Sequence, residues 1–440
     1  MTRISEKKVV LNSDNHIELL SSYQLCLKQL IEKYPYKTKL EFSELVNFKK
    51  NKSISKHRWY DYKQGYAAEL MEMIIRKENI NKDLYVLDPF TGVGTTNLVA
   101  QELGYKNIGI DVNPIASLAA RVKTYLFSEK ETEDIESSIK IFKPKKTNHV
   151  PDSTLLVKSF PPQVFNQLME IKGYYENLKN QKTSDFFKLA YISIIDECST
   201  RIKDGNGIKI AKNKKIVDDV FGLYLNKCEQ MIGDLKNGNY STESLIIDGS
   251  ILKAETYNKI KDKKVGLVIF SPPYANCFDY CEVYKLELWM GDFVLNYKDF
   301  KKYRDLAMRS HVNAKFVHVF ENSNDKVDLI ANLLACYNLW NKNIPDMVRG
   351  YFDDMENLLK KMHKLMVDNS KVYIIVANSG YKGILVPTDL LIADIAERTG
   401  YVVDEITQAR KIRSSSQQMD ELNGNYENLM RESIVVLHKQ

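Results

Sequence analysis

The tetrapeptide Ser271-Pro272-Pro273-Tyr274 follows directly on the apolar run Val265–Phe270, so a buried strand ends in a stiff corner that starts polar and finishes aromatic. The two prolines fix φ and carry no N–H, which leaves the carbonyls beside them facing outward as acceptors with no competing donor. An exocyclic NH₂ of a nucleobase has two donors to offer, and Tyr274 supplies a flat surface on which the base ring can stack. The same four residues also read as an ordinary Pro-Pro turn. A second motif decides between the two readings.

That motif is Asp88-Pro89-Phe90-Thr91-Gly92-Val93-Gly94-Thr95-Thr96, which follows the short strand Leu84–Leu87 and opens a helical stretch from Thr95 to about Leu103. Strand, glycine-rich turn and helix form the first unit of a nucleotide-binding α/β sheet. Gly92 and Gly94 lack the Cβ that would keep a ligand off the backbone. The third glycine of the dinucleotide fingerprint is replaced by Asn97, and the Lys-Ser/Thr ending of a phosphate-gripping loop is absent, which argues against ATP or GTP hydrolysis. A second strand, Asn107–Ile110, ends in Asp111-Val112-Asn113-Pro114, about where such folds set an acid on ribose hydroxyls. A third, Ser244–Ile247, ends in Asp248-Gly249-Ser250, whose carboxylate can accept from an adenine amino group.

With these four strand ends in hand, the chain resembles the amino-methyltransferases that use S-adenosylmethionine to methylate exocyclic amines of DNA bases. Asp88–Thr96 is similar to the family's methionine-binding motif, Ile108–Pro114 to its ribose motif, Leu245–Ser250 to its adenine motif and Ser271–Tyr274 to its catalytic motif. Upstream, His57–Tyr66 is similar to the segment whose aromatic residue packs beside the methionine part of the cofactor, and Tyr66 is the expected aromatic. The resemblance implies that S-adenosylmethionine is held by Tyr66, Asp88, Phe90, Thr91, Gly92, Gly94, Thr95, Thr96, Asp111, Val112, Asn113, Asp248, Gly249 and Ser271. It implies a catalytic role for Ser271, Pro272, Pro273 and Tyr274. A serine at the head of the tetrapeptide implies cytosine N4 as the acceptor, where aspartate or asparagine would imply adenine N6. The implied partner is double-stranded DNA, read at a specific site in a restriction-modification setting with a possible cognate endonuclease. The alternatives are adenine N6 methylation, guanine N2 methylation of structured RNA, and a non-catalytic DNA-binding subunit that keeps the fold.

The elements that must position these residues follow from the same reading. The expected fold class is α/β, a Rossmann-like seven-stranded methyltransferase sheet with a largely helical inserted lobe, completed by strands Val372–Val376, Tyr401–Ile406 and Ser433–Leu437. Residues 1–50 form an N-terminal helical extension, in which Ile17–Ile31 has the periodicity of a helix packed on the domain. Residues 51–126 carry the cofactor motifs, 127–243 an insertion, and 244–440 the catalytic half with a smaller insertion at about 291–347. The first insertion is needed because the second and third strands stand much further apart than the roughly dozen residues of a crossover. It carries Arg201, Lys203, Lys209 and Lys212 around Gly205-Asn206-Gly207, a basic loop suited to a phosphate backbone or, equally, to solvent. The second insertion offers Lys301, Lys302, Arg304, Arg309 and His311. Arg410 and Arg413, in the loop after the sixth strand, are expected at phosphates or over the target base.

Composition sets limits without choosing among these. The 440 residues are 44% hydrophobic with a formal net charge of +6, so DNA affinity must come from local patches and not from the overall field. The six cysteines contain neither a Cys-x-x-Cys pair nor a dense disulfide framework, and read as reduced thiols of a cytoplasmic protein with no bound metal. No Pro-Cys dipeptide is present for the thiolate attack of ring-carbon methylation, which points to nitrogen as the target atom. No stretch is long and apolar enough to span a bilayer.

Overall fold

A computed structural model describes residues 13–63, 65–205, 207–236, 242–314, 320–412 and 427–440. Among these, the strands in chain order are β1 (Tyr36–Thr38), β2 (Tyr85–Asp88), β3 (Lys106–Asp111), β4 (Arg201–Asp204), β5 (Gly207–Ile210), β6 (Ser244–Asp248), β7 (Val265–Phe270), β8 (Met366–Ala377), β9 (Ser379–Tyr381), β10 (Ile384–Val386), β11 (Tyr401–Lys411) and β12 (Arg431–Lys439). Eight of them form the main sheet in the order β1-β11-β12-β8-β7-β2-β3-β6. Every neighbouring pair is parallel except those made by β12, which runs antiparallel to both β8 and β11. The seven expected strands all form. The eighth, β1, is a three-residue edge strand contributed by the N-terminal segment.

The apolar periodicity accounts for the layers. Every residue of β7 is buried, as a central parallel strand covered on both faces requires. Side chains alternate across the pleat, so Val268 and Phe270 join one core while Leu267 and Ile269 join another. On the first face lie the helices Ile344–Leu365 and Thr388–Arg398 and the N-terminal helix Ser13–Lys33, whose Tyr23, Leu27 and Leu30 are buried there. On the second lie Ala68–Glu78 and the strap before it. The chain order reverses between β2 and β7, and this switch point is where an open α/β sheet leaves a crevice beyond the carboxyl ends of its strands.

Between β3 and β6 the chain builds helices Glu129–Lys140, Pro162–Glu176, Gln181–Cys198 and Val220–Leu235 around their own apolar cluster. That cluster is continuous with Trp59, Tyr62, Ile115 and Leu118 beside the cofactor motifs and with the segment Phe278–Phe300 after the catalytic tetrapeptide. The basic segment read as a loop is instead an antiparallel hairpin, β4–β5, with Asp204 opposite Gly207. Among the described residues, no helix is long and apolar enough to cross a membrane.

Candidate active site

The motif-bearing strands β6, β3, β2 and β7 are adjacent and parallel, so their motifs come out at one end of the sheet. Backbone hydrogen bonds stitch these ends together. The Thr91 N–H donates to the Ile110 carbonyl at 2.9 Å, and the Gly249 N–H to the Asp111 carbonyl at 2.8 Å. The Asp111 carboxylate accepts from the backbone N–H groups of Gly92 and Asn113, each at 2.8 Å. Three strand termini are thus fixed to one another before any ligand arrives, the preorganisation a binding site needs.

A cleft open to solvent lies over these ends. Its floor is made by Phe90, Thr91, Gly92, Thr95, Asp111, Val112, Asn113 and Gly249, and it reaches Ser271 and Pro273 at the end of β7. Tyr66 closes one side. These are ten of the expected cofactor residues and two of the four catalytic ones, brought to a single cavity.

Other expected residues sit elsewhere. Asp88 is fully buried beneath the floor, where its carboxylate accepts from the Tyr66 hydroxyl at 2.5 Å, from Thr96 at 2.7 Å and from the Phe90 N–H at 3.0 Å. Asp88 and Thr96 therefore hold the turn and Tyr66 in place. Gly94, expected to admit a ligand, faces the other way: it is left-handed at φ +80°, and a Cβ there would stand 2.8 Å from the Ala120 Cα. Its absence of a side chain serves the packing of two helices. Asn97, standing where the third glycine would be, accepts from the Thr91 hydroxyl and donates to Asn107. Asp248 turns away from the cleft, pairs with Arg121 at 3.3 Å and is largely exposed; Gly249 and Ser250 line the cavity in its stead.

At the catalytic corner, the Ser271 hydroxyl lies 3.5 Å from the Tyr274 hydroxyl, which in turn donates to Glu432. Pro272 and Tyr274 stand behind the cavity wall, with Tyr274 packed against the core.

The roof went unrecognised in the sequence. Tyr62 stacks on Tyr284 (centroids 5.2 Å apart, 11° between planes) and on Tyr280 (6.2 Å, 17°), and a Cβ on Gly92 would come within 3.3 Å of the Tyr62 ring. Further along, Asp279, Arg304, Met308, Ser310 and His311 form the outer wall. Arg304 is held by Asp279 at 2.8 Å and Glu282 at 2.5 Å, and the buried His311 is pushed toward its neutral form by burial. Arg309 is committed to Asp353 and Asp354, both at 2.6 Å.

The expected DNA-contacting cations divide. Lys203 is half-buried, reaching Glu287 at 2.5 Å with its ammonium 4.4 Å over the Tyr284 ring, so it braces the roof from the inserted lobe. Arg201 donates to Ser159 at 2.6 Å. Lys209 is exposed and paired with Asp204 at 2.7 Å, and Lys212 is exposed. Arg410 is tied to Glu432. Arg413 and Asn206 lie outside the described residues. Cys277 and Cys281 are buried, and burial pushes their thiols up to about 11 and about 12, away from thiolate chemistry.

Burial raises the Asp111 carboxyl to about 6, against the pull of the Asn113 and Gly92 N–H groups, and raises Asp88 to about 6 as well. The ribose role expected of Asp111 sets two hydroxyls on its oxygens, and on that expectation cofactor affinity should fall as the pH drops through about 6, by up to tenfold per unit. The stability contribution has the opposite sign. With folded values above those of the unfolded chain, protonation favours the folded state, and this contribution is present below about pH 4 and lost as the pH rises through about 6. Calorimetric titration of S-adenosylmethionine between pH 5 and 8 checks the first statement, and urea unfolding of the free protein over the same range checks the second.

Comparison with known proteins agrees with this geometry. A family model described as DNA methylase matches residues 8–121, which include the first two motif-bearing strands. The chain is 28% identical to the type II methyltransferase M.BsoBI of Geobacillus stearothermophilus, over 90% of this chain and 88% of that one. It is 24% identical to M.AvaI of a Nostoc species, over 92% of both chains. M.MvaI of Kocuria varians is 23% identical over 78% of this chain and 81% of its own. Among solved structures, the rRNA methyltransferase aviRa of Streptomyces viridochromogenes covers 84% of this chain and 85% of its own at 8% identity with a TM-score of 0.30, so the fold rests on the strand order described above. The family model and the type II relatives support a DNA amino-methyltransferase of the N4-cytosine and N6-adenine family, with S-adenosylmethionine as the implied methyl donor.

Proposed function

We propose that the protein transfers a methyl group from S-adenosylmethionine to the exocyclic N4 of cytosine in duplex DNA, at a specific site within a restriction-modification system. The observation that carries this reading is the cleft in which Gly92, Asp111 and Ser271 meet at the ends of three neighbouring parallel strands. Similarity along most of the chain to enzymes named type II methyltransferases supports DNA as the substrate. The serine at position 271 favours cytosine over adenine.

Asp111 accepts from the ribose hydroxyls, Phe90, Thr91, Gly92 and Val112 border the rest of the cofactor, and Tyr66 flanks its methionine part. The sulfonium is already activated as a methyl donor, so the protein's task is to bind, orient and exclude water. Cytosine N4 is a poor nucleophile because its lone pair is conjugated into the ring. As the nitrogen would take the methyl carbon, the carbon–sulfur bond would break to leave a neutral thioether and positive charge would grow on the nitrogen; the Ser271 oxygen and Pro272 carbonyl accept its N–H bonds and stabilise that charge until one of these protons is released. The target base must leave the stack at a cost of a few kcal/mol, which backbone contacts offset; Lys209 on the hairpin and Lys212 just after it are the exposed cations proposed for this.

Ser271→Ala removes one such acceptor. A hydrogen bond involving charge contributes about 1.5–3 kcal/mol, so turnover should fall about ten- to a hundredfold while cofactor affinity holds. Single-turnover kinetics beside a cofactor titration separate the two. The function itself is tested by incubating the protein with methyl-labelled cofactor and mixed-sequence duplex DNA, digesting to nucleosides and weighing the labelled species. N4-methyl-2′-deoxycytidine is expected, and label on deoxyadenosine would move the reading to N6 methylation.

A further inference from the structure

The catalytic corner is braced from a part of the chain far away in sequence. Tyr274 donates its hydroxyl proton to one oxygen of Glu432, and Arg410 donates from Nε to the other. Glu432 is 2% exposed, at the start of β12 and opposite Ala377 of β8. A register shift in β11 between Gln408 and Arg410 brings Arg410 opposite Glu432. Such a bulge re-aims a side chain. The flanking Arg431 and Ser433 point to the other face of the strand, where both bind Asp389 at 2.7 Å. A carboxylate so deeply buried persists only with partners, and these two are a cation and a phenol.

We infer that Glu432 is a positioning residue, which fixes the direction of the hydroxyl chain so that Ser271 meets the incoming amine as an acceptor; this rests on the amino-methyltransferase reading above. A phenol has one proton. With that proton given to Glu432, Tyr274 can only accept from Ser271, whose hydroxyl lies 3.5 Å away. With its own proton turned to Tyr274, Ser271 presents lone pairs alone to the cleft, and lone pairs match the N–H bonds of an exocyclic amine. Burial pushes the Glu432 carboxyl up, and Arg410 pulls it back toward the charged form and thereby sets the polarity of the chain, a role distinct from the phosphate contact expected of it.

The substitution Glu432→Gln should reverse this chain. The amide oxygen must face Arg410, so the amide NH₂ faces Tyr274 and donates to it. Tyr274 then donates to Ser271, and Ser271 aims its proton at the amine.

Turnover, KM for duplex DNA, cofactor affinity and unfolding midpoint should be measured for the parent, Glu432→Gln, Tyr274→Phe, the double variant and Arg410→Ala. Glu432→Gln is expected to lose about ten- to a hundredfold in kcat, with DNA KM and cofactor affinity within about twofold of the parent. The double variant should be no slower than Glu432→Gln, because without the phenol the amide has nothing to invert. Arg410→Ala should lower kcat and leave the salt dependence of DNA binding unchanged. An active parent whose Glu432→Gln variant turns over normally would overturn the inference, as would losses that multiply in the double variant. A change confined to DNA affinity and its salt slope in Arg410→Ala would restore the phosphate role and overturn it too. If Glu432→Gln fails to fold, Tyr274→Phe carries the test, since it keeps the ring and must still lose turnover. A parent that methylates no DNA base removes the amino-methyltransferase reading and this inference with it.

Discussion

Asp111→Ala is expected to raise the dissociation constant for S-adenosylmethionine between about a hundredfold and ten-thousandfold. Each hydrogen bond from a ribose hydroxyl to a carboxylate contributes about 1.5–3 kcal/mol, and two are lost together. The substitution also strips the acceptor from the Gly92 and Asn113 N–H groups, which loosens the floor on which the cofactor lies. Asp111→Asn keeps the shape without the charge and should fall between the parent and the alanine variant. Isothermal titration reads all three. An alanine variant that binds like the parent would remove Asp111 from the cofactor site, and with it the alignment of the cleft proposed here.

Gly94→Ala should destabilise the fold by about 2–5 kcal/mol. A left-handed conformation costs a residue with a Cβ about 1–2 kcal/mol, and forcing a methyl against a packed neighbour adds about 1–3. Here the new carbon would lie 2.8 Å from both Cα and Cβ of Ala120, and backbone cannot swing aside as a long side chain would. The urea midpoint should drop with the slope unchanged. At temperatures where the variant remains folded, cofactor affinity should stay near that of the parent, because Gly94 does not line the cavity. A stable variant with weakened cofactor binding would show instead that the glycine serves ligand approach.

The contrast between Gly92 and Gly94 shows where sequence reasoning stops. Both stand in one turn, and the pattern says that a Cβ is unwelcome at each; only the fold says that one meets the cleft and the other a helix. The four motifs were legible because each sits where an apolar run ends, and a strand end is a local feature. The existence of the seven main strands, though not their order in the sheet, followed from the same runs, whereas the edge strand β1 is too short to leave a periodic trace. The hairpin β4–β5 did leave one: Asp204-Gly205-Asn206-Gly207 between alternating Ile202 and Ile208 is a turn signal that the density of lysines obscured. Lys203 illustrates the reason. A cation in sequence carries no information on which carboxylate folding will set beside it, and Glu287 lies far along the chain. Tyr280 and Glu432 were hidden for the same cause, since their places at and behind the cavity arise from topology alone.

The account turns on proximity: a sulfonium methyl and a base amine must meet over the ends of β2, β3 and β7. A crystal structure of the protein with a non-reactive S-adenosylmethionine analogue and duplex DNA containing its methylation site measures this directly. The expected result is a cytosine rotated out of the helix into the cleft, its N4 accepted by Ser271 and the Pro272 carbonyl, and the nitrogen about 3–3.5 Å from the position of the transferable methyl. A cofactor seated away from Gly92 and Asp111, or a base that stays stacked in the duplex while the cleft is filled, would contradict it.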